Sequence, residues 1–363
     1  MHELNILALI PNSKNYTLIA VMEKETHLYG PDILRILAMY FVCVIHVGGC
    51  WGSISHAPDT INKLGALSIY SLSDVAVNLF MLITGYIGIT HRWSWKGYAK
   101  IWAQVAFYSI AGILVSWWWT GELCSVTTLF RLLFPIPLAN GYWYFTAYTG
   151  AFFLFPYANK LLQSINKREY QYLLAVLLSS ICLFGMWHQS LWGGFNSVWM
   201  LVMYALGAYI RLHMKPMRQR YALGAYLLIS AFTAVYTATQ FYASKKYGTS
   251  WDISLFSHTS LATVAAAFFC FVFFVQLQIK GEVIRKLIRF AAPLTFAVYL
   301  IHEHPLLEHF FRKMADNLGT WDCYAMWHAP IVSALIYIIC SSVDWFRLQL
   351  FKGIVYLAKR IHC

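Results

Sequence analysis

Apolar residues in this chain come in long runs separated by short polar and basic stretches. Ten runs can be drawn, at approximately 33–50, 68–90, 98–119, 144–163, 171–187, 195–212, 221–240, 260–279, 291–311 and 327–351. Most have the ~20-residue length that spans a bilayer as a helix. The pattern predicts an all-α, polytopic membrane protein with about ten transmembrane helices. The fourth and fifth runs are the weakest, being short or broken by Pro156. No internal repeat or low-complexity tract interrupts the series, and the loops leave no room for a second folded domain.

The first 28 residues stand apart. Residues 4–10 are apolar, but Pro11 stops them, and no basic stretch precedes them as a signal peptide requires. We read 1–28 as a loose or surface-lying segment, with Met22 as an alternative start, and 29–363 as one transmembrane domain.

Composition strengthens the membrane reading. The 363 residues are 60% apolar and 12% charged, against about 25% charged in soluble domains. A formal net charge of +12 would suggest nucleic acid in a soluble protein. Here the basic residues sit in loops between apolar runs, so they read as orientation signals and lipid head-group contacts, and no nucleic-acid partner is expected. With the N-terminus inside, 20 lysines and arginines fall in cytoplasmic segments and 6 in outer loops, with Arg35 at the inner end of the first helix. The bias alternates loop by loop and places both termini in the cytoplasm. Of the eight cysteines, Cys43, Cys182, Cys270 and Cys340 lie inside apolar runs, and no CxxC pair exists. They read as small buried residues, and no metal site is expected.

Ionisable groups inside a membrane helix cost roughly 2.5–3.5 kcal/mol each and need a reason. Arg35 and His46 lie eleven residues apart in the first run. At 100° per residue they share one face, about 16 Å apart along the axis. Arg35 has an alternative reading as a snorkelling interface arginine, and His46 as a bond to a neighbouring helix. In the ninth run His302 lies eleven residues in from Ala291, a depth similar to that of His46, thirteen in from Ile33. Glu303 should point about 100° away and pair elsewhere. On the second run Asp74 and Asn78 share a face. Asp74 is at a depth comparable to His46, where a carboxylate would fix the histidine's tautomer and raise its basicity; a helix-capping aspartate at the outer interface is the alternative. Trp143 and Tyr144 stand at the start of the fourth run, either as interface anchors or as a stacking surface for a sugar or lipid. His91 and Arg92 end the second run on the inner side.

These residues resemble a known family. Leu34-Arg35-Ile36-Leu37-Ala38 followed by His46 resembles the opening of the membrane-bound acyltransferase 3 family. Residues 78–86, Asn-Leu-Phe-Met-Leu-Ile-Thr-Gly-Tyr, resemble its aspartate-Leu-Phe-Phe-x-x-Ser-Gly-Phe run, with Asn78 in place of the aspartate and Thr84 in place of the serine. Gly141-Tyr142-Trp143-Tyr144-Phe145 resembles its Trp-Phe signature, and Tyr299-Leu300-Ile301-His302 with Pro305 its late Tyr-Leu-Ile-His motif. The matches follow the family order across 29–350 and sit closest to polysaccharide O-acetyltransferases, such as the one acting on enterobacterial common antigen.

The resemblance implies transfer of an acyl group, usually acetyl from cytoplasmic acetyl-CoA, to a hydroxyl of a cell-envelope polysaccharide or lipid-linked sugar at the bacterial inner membrane. His46, His302 and Asp74 are then the catalytic candidates, and Arg35 and Arg92 suit the CoA phosphates. Trp143, Tyr144 and Asn78 are the candidates for the acceptor. A histidine base works only when neutral, so activity should rise with pH. The rival reading is a transporter or flippase of a lipid-linked sugar, which should show inverted repeats that are not found here. Nothing in the sequence signals an oligomeric state.

The charge pattern predicts that reporter fusions after Arg220 and Arg289 read as cytoplasmic and fusions near Lys245 as external. A cytoplasmic signal near Lys245 would overturn the ten-helix topology.

Overall fold

The computed structural model describes residues 27–51, 54, 61–134, 141–188, 191–248, 254–318 and 325–361. Almost all of the segment read as loose, 1–28, lies outside them. Among the described residues there are helices and no strands. They are α1 (Tyr29–Ile45), continued by a π-helical turn at His46–Cys50, α2 (Ile61–Ser73), α3 (Ala76–Gly88), α4 (Trp95–Thr120), α5 (Val126–Leu133) and α6 (Trp143–Ser164). There follow α7 (Lys167–His188), α8 (Ser197–His213), α9 (Gln219–Tyr247), α10 (Leu261–Val275), α11 (Glu282–Ala291), α12 (Thr295–His302), α13 (Glu308–Asn317) and α14 (Ala325–Ile361).

All ten apolar runs fall on helices, but they are unequal. Five stretches among the described residues are long and apolar enough to cross a membrane: Tyr29–Cys50, Ile61–Gly88, Trp95–Thr120, Gln219–Tyr247 and Met326–Ile354. The other five runs are helical but shorter or less apolar; α10, for example, has 15 residues. Large apolar side chains such as Leu114, Trp118, Leu228, Phe232 and Ile338 are exposed, as lipid-facing positions would be.

Helix ends follow local chemistry. Ser94, Ser125, Asn196 and Ser260 each accept a hydrogen bond from the backbone N–H three residues on, capping α4, α5, α8 and α10. Gly121 and Gly248 close α4 and α9 in the left-handed conformation. The tightest packing joins α3 to α8. A side chain at Gly85 would run into the carbonyl of Tyr204, and one at Gly207 into that of Leu82. Two backbones therefore meet without side chains between them, as small residues allow in membrane helices. On the opposite side Tyr108 of α4 donates to Asp344 Oδ1 at 2.5 Å, and Arg347 Nε donates to the same oxygen at 2.6 Å. The buried aspartate of α14 is thus paired through Oδ1, while Oδ2 has no hydrogen-bond partner among the described residues. Cys43, Cys182, Cys270 and Cys340 are buried free thiols, as read from their apolar settings.

Three of the ten apolar runs are not continuous helices. The first unwinds into a π-turn, with Trp51 N–H bonding the His46 carbonyl at 2.8 Å. The second turns at Asp74 and Val75. The ninth ends at His302 and resumes at Glu308. All three breaks face one cavity.

Gly85→Val and Gly207→Val should each lose about 1–3 kcal/mol through overpacking, seen as a lower melting temperature in detergent. Gly224→Ala, where an added Cβ meets nothing within 4 Å, should leave the melting temperature unchanged or slightly raised.

Candidate functional site

The cavity has a volume of about 680 Å³ and runs from Arg35 on α1 past His46 to Cys50 at the end of the π-turn. Its walls come from α1, the α2–α3 turn, α6 and α12, with the segments 192–195 and 256–258 at the far end. Arg35, His46, Asp74, Trp143 and Tyr144 line it; Arg92, Asn78 and His302 do not.

At its centre three polar side chains converge. His302 is fully buried, and its Nδ1 lies 2.6 Å from the carbonyl of Val298. A carbonyl only accepts, so this nitrogen carries the proton and Nε2 offers a lone pair. His46 Nδ1 lies 2.9 Å from that Nε2 and 3.0 Å from Glu303 Oε1. Both neighbours are acceptors, so His46 Nδ1 is the donor to both. Its Nε2 is left without a hydrogen-bond partner among the described residues. This is the arrangement of a general base whose tautomer is fixed by a carboxylate behind it.

Glu303 therefore stands where the sequence pattern put Asp74. The expectation of a 100° offset assumed a continuing helix. The chain instead leaves helical geometry at Glu303, with φ −94° and ψ 11°, and the carboxylate turns back to His46. Pro305, which disfavours helix in the residue before it, was the signal for that break. Asp74 lines the same cavity but gives Oδ2 to the hydroxyl of Thr263 at 2.8 Å. The turn at Asp74–Val75 directs it toward the start of α10, away from His46.

Asn78 is also corrected. Its amide donates to the carbonyl of His258 at 2.8 Å and accepts from Trp199 Nε1 at 3.0 Å. Both ends are engaged within the protein, so it ties α3 to α8 and to the segment before α10. Arg92 is exposed in the link between α3 and α4. Arg35 is the basic side chain at the near end, with Nη1 2.6 Å from Asp32 Oδ1. Asp32 in turn holds His27 at 2.6 Å.

Sequence reasoning passed over His258, Trp192, Phe195 and Glu308, which also line the cavity. His258 lies outside the helices, its ring parallel to Trp143 with centroids 6.2 Å apart. Burial, and after it the nearby His46, push its pKa down to about 4, so the ring is neutral at neutral pH. His46, His302 and Glu303 also form a group whose ligand atoms lie within 4.8 Å of one another. Their 2.9 and 3.0 Å separations are hydrogen-bond lengths, and a metal would have to displace the shared proton.

The acyltransferase 3 family model, described as an acyltransferase domain, matches residues 28–345. No curated protein and no solved structure matches the chain.

Asn78→Ala should cost about 1–3 kcal/mol for each buried partner it strands. The loss would appear in thermal denaturation, and a change in tryptophan fluorescence should report the freed Trp199.

Proposed function

The chain belongs to the acyltransferase 3 family and is an integral membrane acyltransferase, and on that premise we propose that it moves an acetyl group from acetyl-CoA to a hydroxyl of a cell-envelope polysaccharide or lipid-linked sugar. In this reading it sits in the bacterial inner membrane with both termini in the cytoplasm, so that Arg35 faces the cytoplasmic donor. The observation that carries the proposal is the Glu303–His46–His302 cluster inside a cavity that also reaches Arg35.

The steps follow from these positions. Arg35 pairs with a phosphate of CoA, for which the guanidinium's forked donors are suited. The pantetheine arm extends along α1 and brings the thioester to His46. His46 Nε2 takes the proton of the acceptor hydroxyl as its oxygen attacks the thioester carbon. The new C–O bond forms, the C–S bond breaks, and the leaving thiolate takes the proton back from His46. Glu303 stabilises the imidazolium formed between those transfers. His302 holds the ring orientation. Trp143 and Tyr144 offer apolar faces to the acceptor ring. A positioned base of this kind is worth typically 10²–10⁴-fold.

Purified protein with labelled acetyl-CoA and envelope glycans tests the reading. His46→Ala should bind acetyl-CoA but lose at least about 10²-fold in transfer, while His302→Ala should lose less. Glu303→Gln should lower kcat with donor affinity preserved. Arg35→Ala should weaken donor affinity by roughly 10- to 100-fold, the worth of a charge-assisted bond, and Arg35→Lys should restore part of it. Near-normal transfer in His46→Ala would remove it as the base, and unchanged donor affinity in Arg35→Ala would remove that residue from the site.

A further inference from the structure

The two ends of the cavity differ in charge. Among the described residues that line it, Arg35 is the one lysine or arginine, and it sits at the near end. Three carboxylates line the remainder: Asp74, Glu303 and Glu308. Glu303 is engaged by His46. Asp74 commits Oδ2 to Thr263, while Oδ1 has no hydrogen bond among the described residues. Glu308, in the first turn of α13, has no side-chain partner among them either.

A second feature points to a ligand at the same end. His258 is only 8% exposed and lines the cavity, and its Nδ1 is buried with no hydrogen-bond partner among the described residues. Unpaired buried nitrogens are costly, and this one is held rigidly because Asn78 grips the residue's own carbonyl. Beside it Phe195 packs at 5.0 Å between ring centroids. Trp192, 83% exposed, borders the cavity on a turn where four successive residues, 191–194, have positive φ. Two of these are not glycine, a conformation that is kept where the surrounding structure requires it. Aromatic faces beside polar groups are suited to a sugar ring.

We propose that Asp74, Trp192, Phe195, His258 and Glu308 form the acceptor subsite, and that it takes a neutral or amino sugar and rejects a sugar bearing a carboxylate. The inference rests on the acetyltransferase reading for the word acceptor, but the charge selectivity stands on the lining itself. An acidic sugar would enter beside the carboxylates of Asp74 and Glu308, with no lysine or arginine among the described residues lining that part of the cavity, and like-charge juxtaposition is how sites reject wrong partners. A protonated amine would meet those carboxylates favourably. His258, neutral, can donate to or accept from a ring hydroxyl.

The test uses three amphiphiles with one alkyl chain: a β-glucoside, a β-glucosaminide and a β-glucuronide. Their binding to the purified full-length protein is measured by equilibrium competition, and acetyl transfer to each is measured separately. We expect the glucosaminide to bind at least as tightly as the glucoside, and the glucuronide at least tenfold more weakly. Glu308→Gln should narrow the glucoside-to-glucuronide ratio several-fold. Raising the ionic strength on the wild-type protein should narrow it in the same direction without any substitution. Equal or tighter binding of the glucuronide, or no binding of any of the three, overturns the subsite. Charge-ordered binding with no acetyl transferred would leave the subsite standing and overturn the acetyltransferase reading instead.

Discussion

The short hydrogen bond from His302 Nδ1 to the carbonyl of Val298 governs the protonation of everything around it. Because one nitrogen must donate, the other must accept. Because it accepts, His46 must donate from Nδ1, and Glu303 reinforces that choice from the other side. The lone pair of His46 Nε2 is then the one basic site left over. A helix backbone four residues earlier thus selects the tautomer of a side chain on another helix. The cluster also explains how buried ionisable groups persist in a membrane chain: each proton has an assigned owner, so none of the groups is unpaired at depth.

Position in the fold comes from broken helices. A regular helix in lipid satisfies its own backbone and presents nothing but side chains. The π-turn at His46–Cys50, the turn at Asp74–Val75 and the interruption at Glu303–Leu307 each aim a polar side chain inward. Irregular backbone is tolerated at membrane depth only where it is buried in protein or lines a cavity, and all three lie along this one. The α3–α8 contact through Gly85 and Gly207 supplies a firm wall behind it.

Much of this was legible in sequence, because period and depth are local properties. The shared face of Arg35 and His46 followed from the helical repeat, and the matching depth of His302 from the distance to the inner end of its run. All three residues contribute to the cluster or the cavity that the structure shows. Helix breaks were harder. Glu303 was misplaced because a helix was continued through it, and Asp74 was given the partner that Glu303 holds. Asn78 was read as facing ligand because a family position was carried over to it, whereas its amide is engaged by Trp199 and His258. Those partners lie 121 and 180 residues away in the chain, beyond the reach of any periodicity. Of the ten apolar runs, five coincide with stretches that are both long and apolar enough to cross a membrane among the described residues.

The bond between Arg35 and Asp32 has a consequence for how the near end of the cavity works. At rest the guanidinium already has a carboxylate, so it does not wait as a bare cation at the membrane boundary. If the donor binds as proposed, its phosphate must share the guanidinium or displace Asp32, and Asp32 has His27 on its other oxygen to fall back on. Donor arrival is then an exchange of one anion for another, and departure is the reverse exchange. Such a swap makes the grip on the donor weaker than that of an uncommitted arginine, but it gives the spent carrier a competitor that is always present to replace it.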